Sequence, residues 1–510
     1  MKSPMTKPKA IVGPPGTGKT STLIGIVKHE LSKGMQPERV GFLSFSRKAT
    51  EEARSRAVEE LNIEAKRLLH FRTLHSLAFK QLGLRTDNVL RPVDYERLEQ
   101  LVGLEFKANR SMTVKDGEFF RFGAPGDMYL SIISMARTRG VSLEEQFNDY
   151  NNPTLDFRQL KILEKALFDY KQSTKKIDFV DMVEKFIEQG EAPELDLLIV
   201  DEAQDLVPLQ WDMVDKLLTK AGQTYYAGDD DQTIYEWMGV DPSNFIDRCE
   251  NRTVLKNSYR VPYVVHQLAE RVIESVDQRV PKEWEPTDHE GRVLYHYDMD
   301  DIDMSEGEWL ILARTNFFAN KVSQYMKSMG VLFWREGSGW SVSSRVLKAA
   351  QTWTAFAQNN VVDYSNLDSM FSFIKINKSE RKVLKSRLQE AEQKQTLAED
   401  LKKQLSFDGV DYTKKWYEVL DVPDKDRIYI QSVLRSGEKF DEKKPRIRVS
   451  TIHKAKGGEA DNVVLLLNSS KLCQTFSNED CERRVFYVGI TRTKKNLHII
   501  ESTSKWSFQI

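Results

Sequence analysis

Residues 228–237 combine two kinds of side chain in one short loop. The segment reads Gly-Asp-Asp-Asp-Gln-Thr-Ile-Tyr-Glu-Trp. Its carboxylates and its amide suit a magnesium-bound nucleotide, whereas Tyr235 and Trp237 suit the flat faces of unstacked bases. A loop that contacts both ligands can couple phosphate chemistry to movement along a nucleic-acid strand. The alternative is an acidic surface loop whose two aromatic side chains pack into a core.

A glycine-rich loop near the N-terminus predicts a phosphate-binding site. Residues 13–20 match the pattern G-x-x-x-x-G-K-[ST] in full. Apolar residues precede this loop as in a buried strand, and those after it have helical spacing. Glycines let backbone N–H groups turn towards phosphate oxygens, and the helix N-terminus adds positive potential. The predicted nucleotide-binding residues of the loop are Gly13, Pro14, Pro15, Gly16, Thr17, Gly18, Lys19 and Thr20.

Two of these side chains have more specific predicted roles at the phosphates and Mg²⁺, together with residues of a second segment at 197–202. Lys19 is predicted to reach the β- and γ-phosphates, and Thr20 to bind Mg²⁺. Residues 197–200 are continuously apolar, as expected of a central parallel strand, and Asp201 and Glu202 follow at its ligand-binding end. Asp201 is predicted to hold Mg²⁺, and Glu202 to orient and deprotonate the attacking water. Taken alone, the acidic pair is equally compatible with a helix N-cap.

Together with further motifs, these segments resemble superfamily 1 DNA helicases of the UvrD/Rep/PcrA type. The resemblance runs in order along the chain, through residues 13–20, 42–48, 73–76, 178–181, 201–205, 228–237, 255–260, 313–316, 451–459 and 482–492. It implies an α/β fold with two RecA-like motor domains. Each domain would contain a parallel sheet and be interrupted by a mainly helical insertion.

The domain boundaries follow from where motifs are absent. The first motor domain is expected over 1–80 and 176–258, with a helical insertion at 81–175. The second is expected over 259–345 and 446–510, with a small helical insertion at 346–445. Within that insertion, 378–406 has a stripe of leucine and alanine. The stripe favours the buried face of a small domain over a coiled-coil arm.

The resemblance also implies roles at the nucleotide. Gln232 would sense the γ-phosphate, Tyr259 would stack on the base, and Glu459 would contact the ribose. Arg260 and Arg492 would act as arginine fingers from the second motor domain. An arginine finger can contribute about 10³–10⁵ in rate.

A second group of residues is implied to line the path of single-stranded DNA. These residues are Phe45, Thr73, His75, Tyr235, Trp237, Asn316 and His453. For Phe45 and His75, ordinary core packing or helix capping is the alternative.

The implied activity is a DNA-stimulated ATPase and 3′→5′ DNA helicase that uses ATP and Mg²⁺. Its substrates would be single-stranded DNA and tailed or forked duplexes, and replication, repair or recombination proteins are possible partners. One alternative is a translocase that displaces proteins with little unwinding, and another is a nucleotide-gated recruitment module without useful turnover. Relatives carry a glutamine motif before the glycine loop and a duplex-splitting hairpin after the last arginine motif. Neither is found here, which leaves adenine selectivity open and predicts modest unwinding by a monomer.

Composition is compatible with this interpretation. A chain of 510 residues and 59.0 kDa is too long for one core. The net charge is −1, so a basic surface must be local. Three cysteines without metal-site spacing favour a reducing compartment, and we see no apolar run of transmembrane length and no signal peptide. We therefore expect a compact cytoplasmic protein of a bacterial or phage-infected cell, with no membrane partner.

Overall fold

A computed structural model of the chain describes residues 7–106, 124–394, 398–405, 410–437, 440–442, 444–471, 473 and 478–510. Its strands are β1 Lys9–Val12, β2 Val40–Ser44, β3 His70–Thr73, β4 Leu195–Asp201, β5 Ala221–Gly228, β6 Arg252–Val254, β7 Arg292–His296, β8 Trp309–Ala313, β9 Trp334–Arg335, β10 Gly339–Trp340, β11 Ile447–Thr451, β12 Ala460–Leu466 and β13 Thr493–Ile500.

The helices alternate with these strands or form separate groups between them. They are α1 Lys19–Ser32, α2 Arg47–Leu61, α3 Leu74–Gln81, α4 Pro92–Val102, α5 Pro125–Arg139, α6 Leu143–Tyr150, α7 Phe157–Thr174, α8 Phe179–Gln189, α9 Pro208–Leu218, α10 Pro242–Ile246, α11 Tyr263–Ile273, α12 Asn316–Ser328, α13 Ser344–Ala357, α14 Tyr364–Phe371, α15 Lys378–Lys394, α16 Ala398–Gln404, α17 Trp416–Val419, α18 Asp424–Arg435 and α19 Glu479–Ile490. Among the described helices, none has the length and apolarity needed to cross a membrane.

The chain divides into two compact units. The first contains Met1–Leu294, Ser469–Leu497 and Thr503–Ile510, and the second contains Tyr295–Asn468 and His498–Ser502. The first unit has a six-stranded sheet of order β3-β2-β4-β5-β1-β6, in which neighbouring strands are parallel. The predicted α/β fold with parallel sheets is confirmed. The four-part division by motifs stays a prediction.

The sheet of the first unit is buried on both faces, which explains its apolar strands. Along β4, Leu198 and Val200 pack into one hydrophobic cluster, whereas Leu197 and Ile199 pack into another. This alternation is the period of two that a strand imposes on its side chains. The strands end in register, because Val12 pairs with Gly228 and Ser44 pairs with Asp201. The residues that follow these ends therefore meet at one edge.

The described part of 81–175 is helical and has its own core. Helices α4, α5 and α7 pack together around buried residues such as Leu98, Ile132 and Leu163. The predicted helical character of this insertion therefore holds over residues 81–106 and 124–175.

The second unit combines a sheet with a separate helical cluster. Strands β10, β9, β11, β8 and β12 lie in this unit and are neighbours in that order, and β8 is parallel to both β11 and β12. Helices α13 to α18 surround a different core. The described side chains of the predicted stripe are buried there, as the small-domain interpretation requires: Leu384, Leu388, Ala391, Leu401 and Leu405. The side chain of Ala398, also assigned to the stripe, lies outside the described set.

Candidate nucleotide site and nucleic-acid surface

The glycine loop connects β1 to α1 in a conformation that needs glycine. Gly16 and Gly18 have φ of 75° and 74°, in the left-handed region that residues with a Cβ avoid. The N–H of Gly13 donates to the carbonyl of Gly228, 2.9 Å away, which ties the loop to the end of β5. The Thr17 hydroxyl donates to the carbonyl of Pro14 at 2.8 Å. These bonds hold the loop open at the edge of the sheet.

Residues 258–260 lie directly against this loop, although about 240 residues separate them in sequence. The hydroxyl of Ser258 donates to the carbonyl of Pro15, and the N–H of Tyr259 donates to that of Gly16, each at 2.8 Å. A Cβ on Gly16 would lie 2.5 Å from the Cβ of Arg260. Two predicted nucleotide-site residues, Tyr259 and Arg260, therefore lie next to the loop. The Tyr259 side chain is 77% exposed, as a stacking surface for a base should be.

Replacing Gly16 with alanine should abolish nucleotide binding. Alanine at position 16 would be strained by the left-handed φ. Its Cβ would also lie 2.5 Å from the Cβ of Arg260, which is attached to the backbone and cannot move away like the end of a flexible side chain. We expect at least a ten-fold loss of affinity for a fluorescent ATP analogue, about 1.4 kcal/mol or more. The matched control is Gly25→Ala within α1, where a Cβ would meet nothing within 4 Å. Equal affinities for the two variants would contradict this assignment.

Lys19, Asp201 and Glu202 form a charged group at the mouth of the loop. The Nζ of Lys19 lies 2.7 Å from Oε1 of Glu202. Burial alone would lower the pKa of Lys19, but the carboxylates of Glu202 and Asp201 raise it above its ordinary value. Burial raises the pKa of Asp201 to about 7, against the opposing charge of Lys19. A positively charged ligand at Asp201 would therefore relieve an unfavourable burial.

Oxygen ligands for Mg²⁺ are available where the sequence predicted them. Asp201 is buried at the end of β4, and Thr20 lies in the first turn of α1. Mg²⁺ is typically bound through one or two protein oxygens together with substrate phosphates. The hydroxyl of Thr20 and the carboxylate of Asp201 fit that chemistry.

A chain of hydrogen bonds connects Glu202 to Arg492. Gln204 donates to Oε2 of Glu202 at 2.7 Å and accepts from the N–H of Asp229 at 3.2 Å. Gln232 donates to Oδ2 of Asp229 at 2.7 Å, and its Oε1 accepts from Arg492 at 2.9 Å. With Lys19 paired to Glu202, the structure thus brings four of the five predicted hydrolysis residues into one network. Sequence reasoning missed Gln204, although it lies within the quoted 201–205 motif.

The three carboxylates of residues 229–231 are neutralised by cations that sequence reasoning did not find. The Nζ of Lys282 lies 3.2, 2.6 and 2.9 Å from Asp229, Asp230 and Asp231, and all four side chains are 0% exposed. Arg279 also pairs with Asp231, at 2.6 Å. These ion pairs therefore fix the loop internally. Gln232 is the side chain of the loop that contacts the predicted hydrolysis residue Arg492. Three consecutive buried aspartates require cations, but the sequence does not say which ones.

The aromatic half of the loop contacts another predicted DNA residue. The rings of Tyr235 and Phe45 lie 5.7 Å apart with an angle of 31° between them, and both side chains are half-buried. Trp237 lies in the turn Glu236–Met238, and Glu236 pairs with Arg484 at 2.9 Å. Phe45 follows β2 at the same sheet edge. The two halves of the loop thus contact different neighbours.

Thr73 and His75 both make structural contacts, and for His75 such packing is the alternative given above to DNA binding. The Thr73 hydroxyl caps α3 by accepting from the N–H of Ser76 at 3.2 Å. The His75 ring packs edge-on against Phe179 at 5.8 Å. Burial lowers the pKa of His75 to about 4, so this side chain is neutral at physiological pH. It therefore contributes no positive charge to a phosphate backbone.

The remaining predicted residues belong to the second unit. Asn316 is exposed at the start of α12, and its Oδ1 accepts from Arg335 at 3.2 Å. His453 and Glu459 lie in the connection between β11 and β12, and the carbonyl of Glu459 accepts from Arg448. The first unit alone contains the glycine loop together with Arg260 and Arg492.

Two protein-family domains match this chain. Residues 1–252 match the UvrD/REP helicase N-terminal domain, and residues 127–504 match the UvrD-like helicase C-terminal domain. The chain belongs to the UvrD/Rep helicase family.

Individual relatives are distant and longer. The ATP-dependent DNA helicase PcrA of Staphylococcus aureus strain Mu50 is 23% identical over 392 residues, which cover 72% of this chain and 51% of PcrA. The ATP-dependent DNA helicase Rep of Buchnera aphidicola subsp. Baizongia pistaciae is 23% identical over 256 residues, which cover 47% of this chain and 36% of Rep. The chain thus spans about half the length of PcrA.

Among solved structures, the helicase nonstructural protein 10 of an arterivirus aligns with 98% of this chain and 60% of its own. The TM-score is 0.34 and the identity 11%. At that TM-score the similarity supports no conclusion about this chain.

Proposed function

We propose that this chain is an ATP-driven motor on single-stranded DNA, with 3′→5′ polarity and the ability to separate tailed or forked duplexes. The observation that supports it most is the hydrogen-bond chain from Glu202 through Gln232 to Arg492, next to a glycine loop that contacts Tyr259 and Arg260. A site that only binds nucleotide does not need this network, because arginine and glutamine groups of this kind act on hydrolysis. The polarity is proposed by analogy with the family.

The charges of the site indicate how ATP would be activated. Lys19 pairs with Glu202 in the structure. Bound phosphates would compete for Lys19 and release the Glu202 carboxylate to orient and deprotonate water. Mg²⁺ held by Thr20 and Asp201 would neutralise phosphate charge. Tyr259 would stack on the base and Glu459 would contact the ribose.

Arg260 and Arg492 would stabilise the charge that develops during phosphoryl transfer. The Arg492 side chain is oriented by the hydrogen bonds that it donates to the carbonyl of Val488, 2.9 Å away, and to Gln232. A guanidinium held in place before the reaction needs no reorganisation when charge builds up.

The loop at 228–237 would connect hydrolysis to the strand. Gln232 belongs to the hydrogen-bond chain that ends at Arg492. Tyr235, three residues after Gln232, lies beside Phe45. If Gln232 contacts the γ-phosphate only before hydrolysis, the loss of this contact after hydrolysis changes the preferred position of the loop. Base stacking on Tyr235, Trp237 and Phe45 contributes roughly 1–3 kcal/mol per base without sequence preference. Thr73, His75, Asn316 and His453 are proposed to contact the same strand.

The decisive experiment measures ATP hydrolysis with and without single-stranded DNA, followed by unwinding of duplexes with a 3′ or a 5′ tail. Stimulation by DNA with unwinding of the 3′-tailed duplex supports the proposal. Stimulation together with streptavidin displacement but no unwinding would indicate a protein-displacing translocase. Absence of turnover would indicate a recruitment module. Pull-down with replication, repair or recombination proteins would then test for partners.

Glu202→Gln should reduce DNA-stimulated hydrolysis by about 10²–10⁴-fold, since a general base of this kind contributes that factor. Nucleotide binding should persist, because Lys19 and the glycine loop remain. Lys19→Ala is the matched comparison, and it should weaken nucleotide binding as well. The measurements are phosphate release and the affinity for a fluorescent ATP analogue. Near wild-type turnover in Glu202→Gln would remove Glu202 from the role of base.

A further inference from the structure

Phe317 is a large aromatic side chain whose ring contacts Phe318 edge-to-face, with the ring centres 5.2 Å apart, and is otherwise largely exposed. It is 62% exposed, at the second position of α12. The buried face of α12 consists of Ala319, Val322 and Met326, and the neighbouring Phe318 packs against the same core. An isolated exposed apolar side chain is common and needs no explanation. Its surroundings must therefore show whether Phe317 has a ligand.

A lysine lies over the Phe317 ring. The Nζ of Lys321, one helical turn later, is 4.7 Å from the centre of that ring. The ammonium is attracted to the electrons of the ring and is itself exposed. The Lys321 ammonium covers one face of the Phe317 ring, so a base would stack on the opposite face with the positive charge close by. Bases and phosphates occur at comparable spacing in a nucleic-acid strand.

Helix α12 begins at the edge of the second unit's sheet where parallel strands end. Parallel strands β8, β9 and β11 end here, and the N–H of Ile452 donates to the carbonyl of Ala313 at 3.0 Å. Arg335 donates to Asn316, the residue before Phe317. The Nζ of Lys454 lies 3.1 Å from the position that a Cβ on Gly337 would occupy.

The carboxyl ends of parallel strands are where α/β sheets usually bind ligands. Lys321 supplies an exposed positive charge at this edge, on the same helix as Phe317. An anionic ligand with flat rings is the occupant that matches both the charge and the exposed aromatic surface.

We propose that Phe317 and Lys321 form an additional stacking site for one base of a single-stranded nucleic acid, with the adjacent phosphate near Lys321. The proposal rests on the proposed function, because it assumes that the motor binds single strands. It adds a contact that the helicase motifs do not assign. A protein segment as occupant is the competing outcome of the test.

The first test compares affinities for a fluorescent oligo-dT. Phe317→Ala should weaken binding roughly five-fold or more, as expected for loss of one stacked base. Phe317→Trp should restore it, since the aromatic face is kept. The control is Phe168→Ala on α7, which removes another helical phenylalanine that is 57% exposed. ATP hydrolysis without DNA should be unchanged in all three variants, and this result would show that the variants are folded.

The second test separates stacking from charge. One abasic position, moved along the oligonucleotide, should weaken wild-type binding at one register and have no further effect on Phe317→Ala there. Lys321→Met should instead reduce the slope of log affinity against log salt by about 0.7.

The outcomes distinguish the two proposals. Failure of the wild type to bind any oligonucleotide would overturn the proposed function together with this site. Wild-type binding with equal affinity in Phe317→Ala, or an abasic effect that persists in that variant at every register, would overturn the site alone. Retained oligonucleotide affinity with loss of binding to a protein partner would do the same.

Discussion

Arg492→Ala should lower DNA-stimulated ATP hydrolysis by about 10³-fold or more, the factor associated with an arginine finger. The Arg492 side chain is buried and donates to Gln232 at 2.9 Å. Its removal takes away positive charge where negative charge develops, and leaves Gln232 without that partner. Affinity for single-stranded DNA should change much less, because the stacking residues remain. Phosphate release and oligonucleotide titration measure the two effects separately.

Arg483→Ala is the matched control for this prediction. Arg483 lies on α19, nine residues before Arg492, and pairs with the exposed Glu479 at the protein surface. Its loss should leave hydrolysis within two-fold, since surface ion pairs contribute about 0–1 kcal/mol. Arg260→Ala should resemble Arg492→Ala in hydrolysis. Unchanged hydrolysis in the Arg260 and Arg492 double variant would refute the arginine roles.

The sequence predicted the strands that carry the nucleotide site because their signals are local. Residues 10–12 and 197–200 are apolar over a short run and end in residues with distinct chemistry, so their position in a parallel sheet could be predicted. The structure places them in β1 and β4. The leucine stripe of 378–406 was equally local, and its described side chains are buried as predicted.

Contacts between distant segments could not be predicted in the same way. Motif order indicated that Arg260 and Arg492 act at the nucleotide, but not that Ser258 fastens that segment to Pro15. The division into motor domains also follows motif order, whereas the compact units follow packing, and residues 259–294 belong to the same unit as the glycine loop. Nothing in a linear pattern relates Lys282 to the aspartates fifty residues earlier, because side-chain pairing depends on the folded path of the chain.

Lys282→Met should be one of the most destabilising single substitutions in this protein. It leaves three buried carboxylates beside one another with only Arg279 as a cation, and removing one partner of a buried ion pair costs about 3–5 kcal/mol. Burial already raises the pKa of Asp230 to about 6 with Lys282 present. Without Lys282 that pKa should rise further above the unfolded value. Since the group would then be destabilising wherever it is ionised, the loss of stability should be larger at pH 8 than at pH 5.

Chemical denaturation at the two pH values measures this effect against two further variants. Lys220→Met removes an exposed pair with Glu194, 3.6 Å apart, and should cost less than about 1 kcal/mol at either pH. Adding Asp230→Asn to Lys282→Met removes one of the uncompensated charges, so the double variant should recover part of the stability. A Lys282→Met protein as stable as Lys220→Met at pH 8 would show that Lys282 does not hold the loop. DNA-stimulated hydrolysis that is lower in a folded Lys282→Met protein than in the wild type at the same pH would show that Lys282 also supports the hydrolysis network, to which its partner Asp229 is hydrogen-bonded.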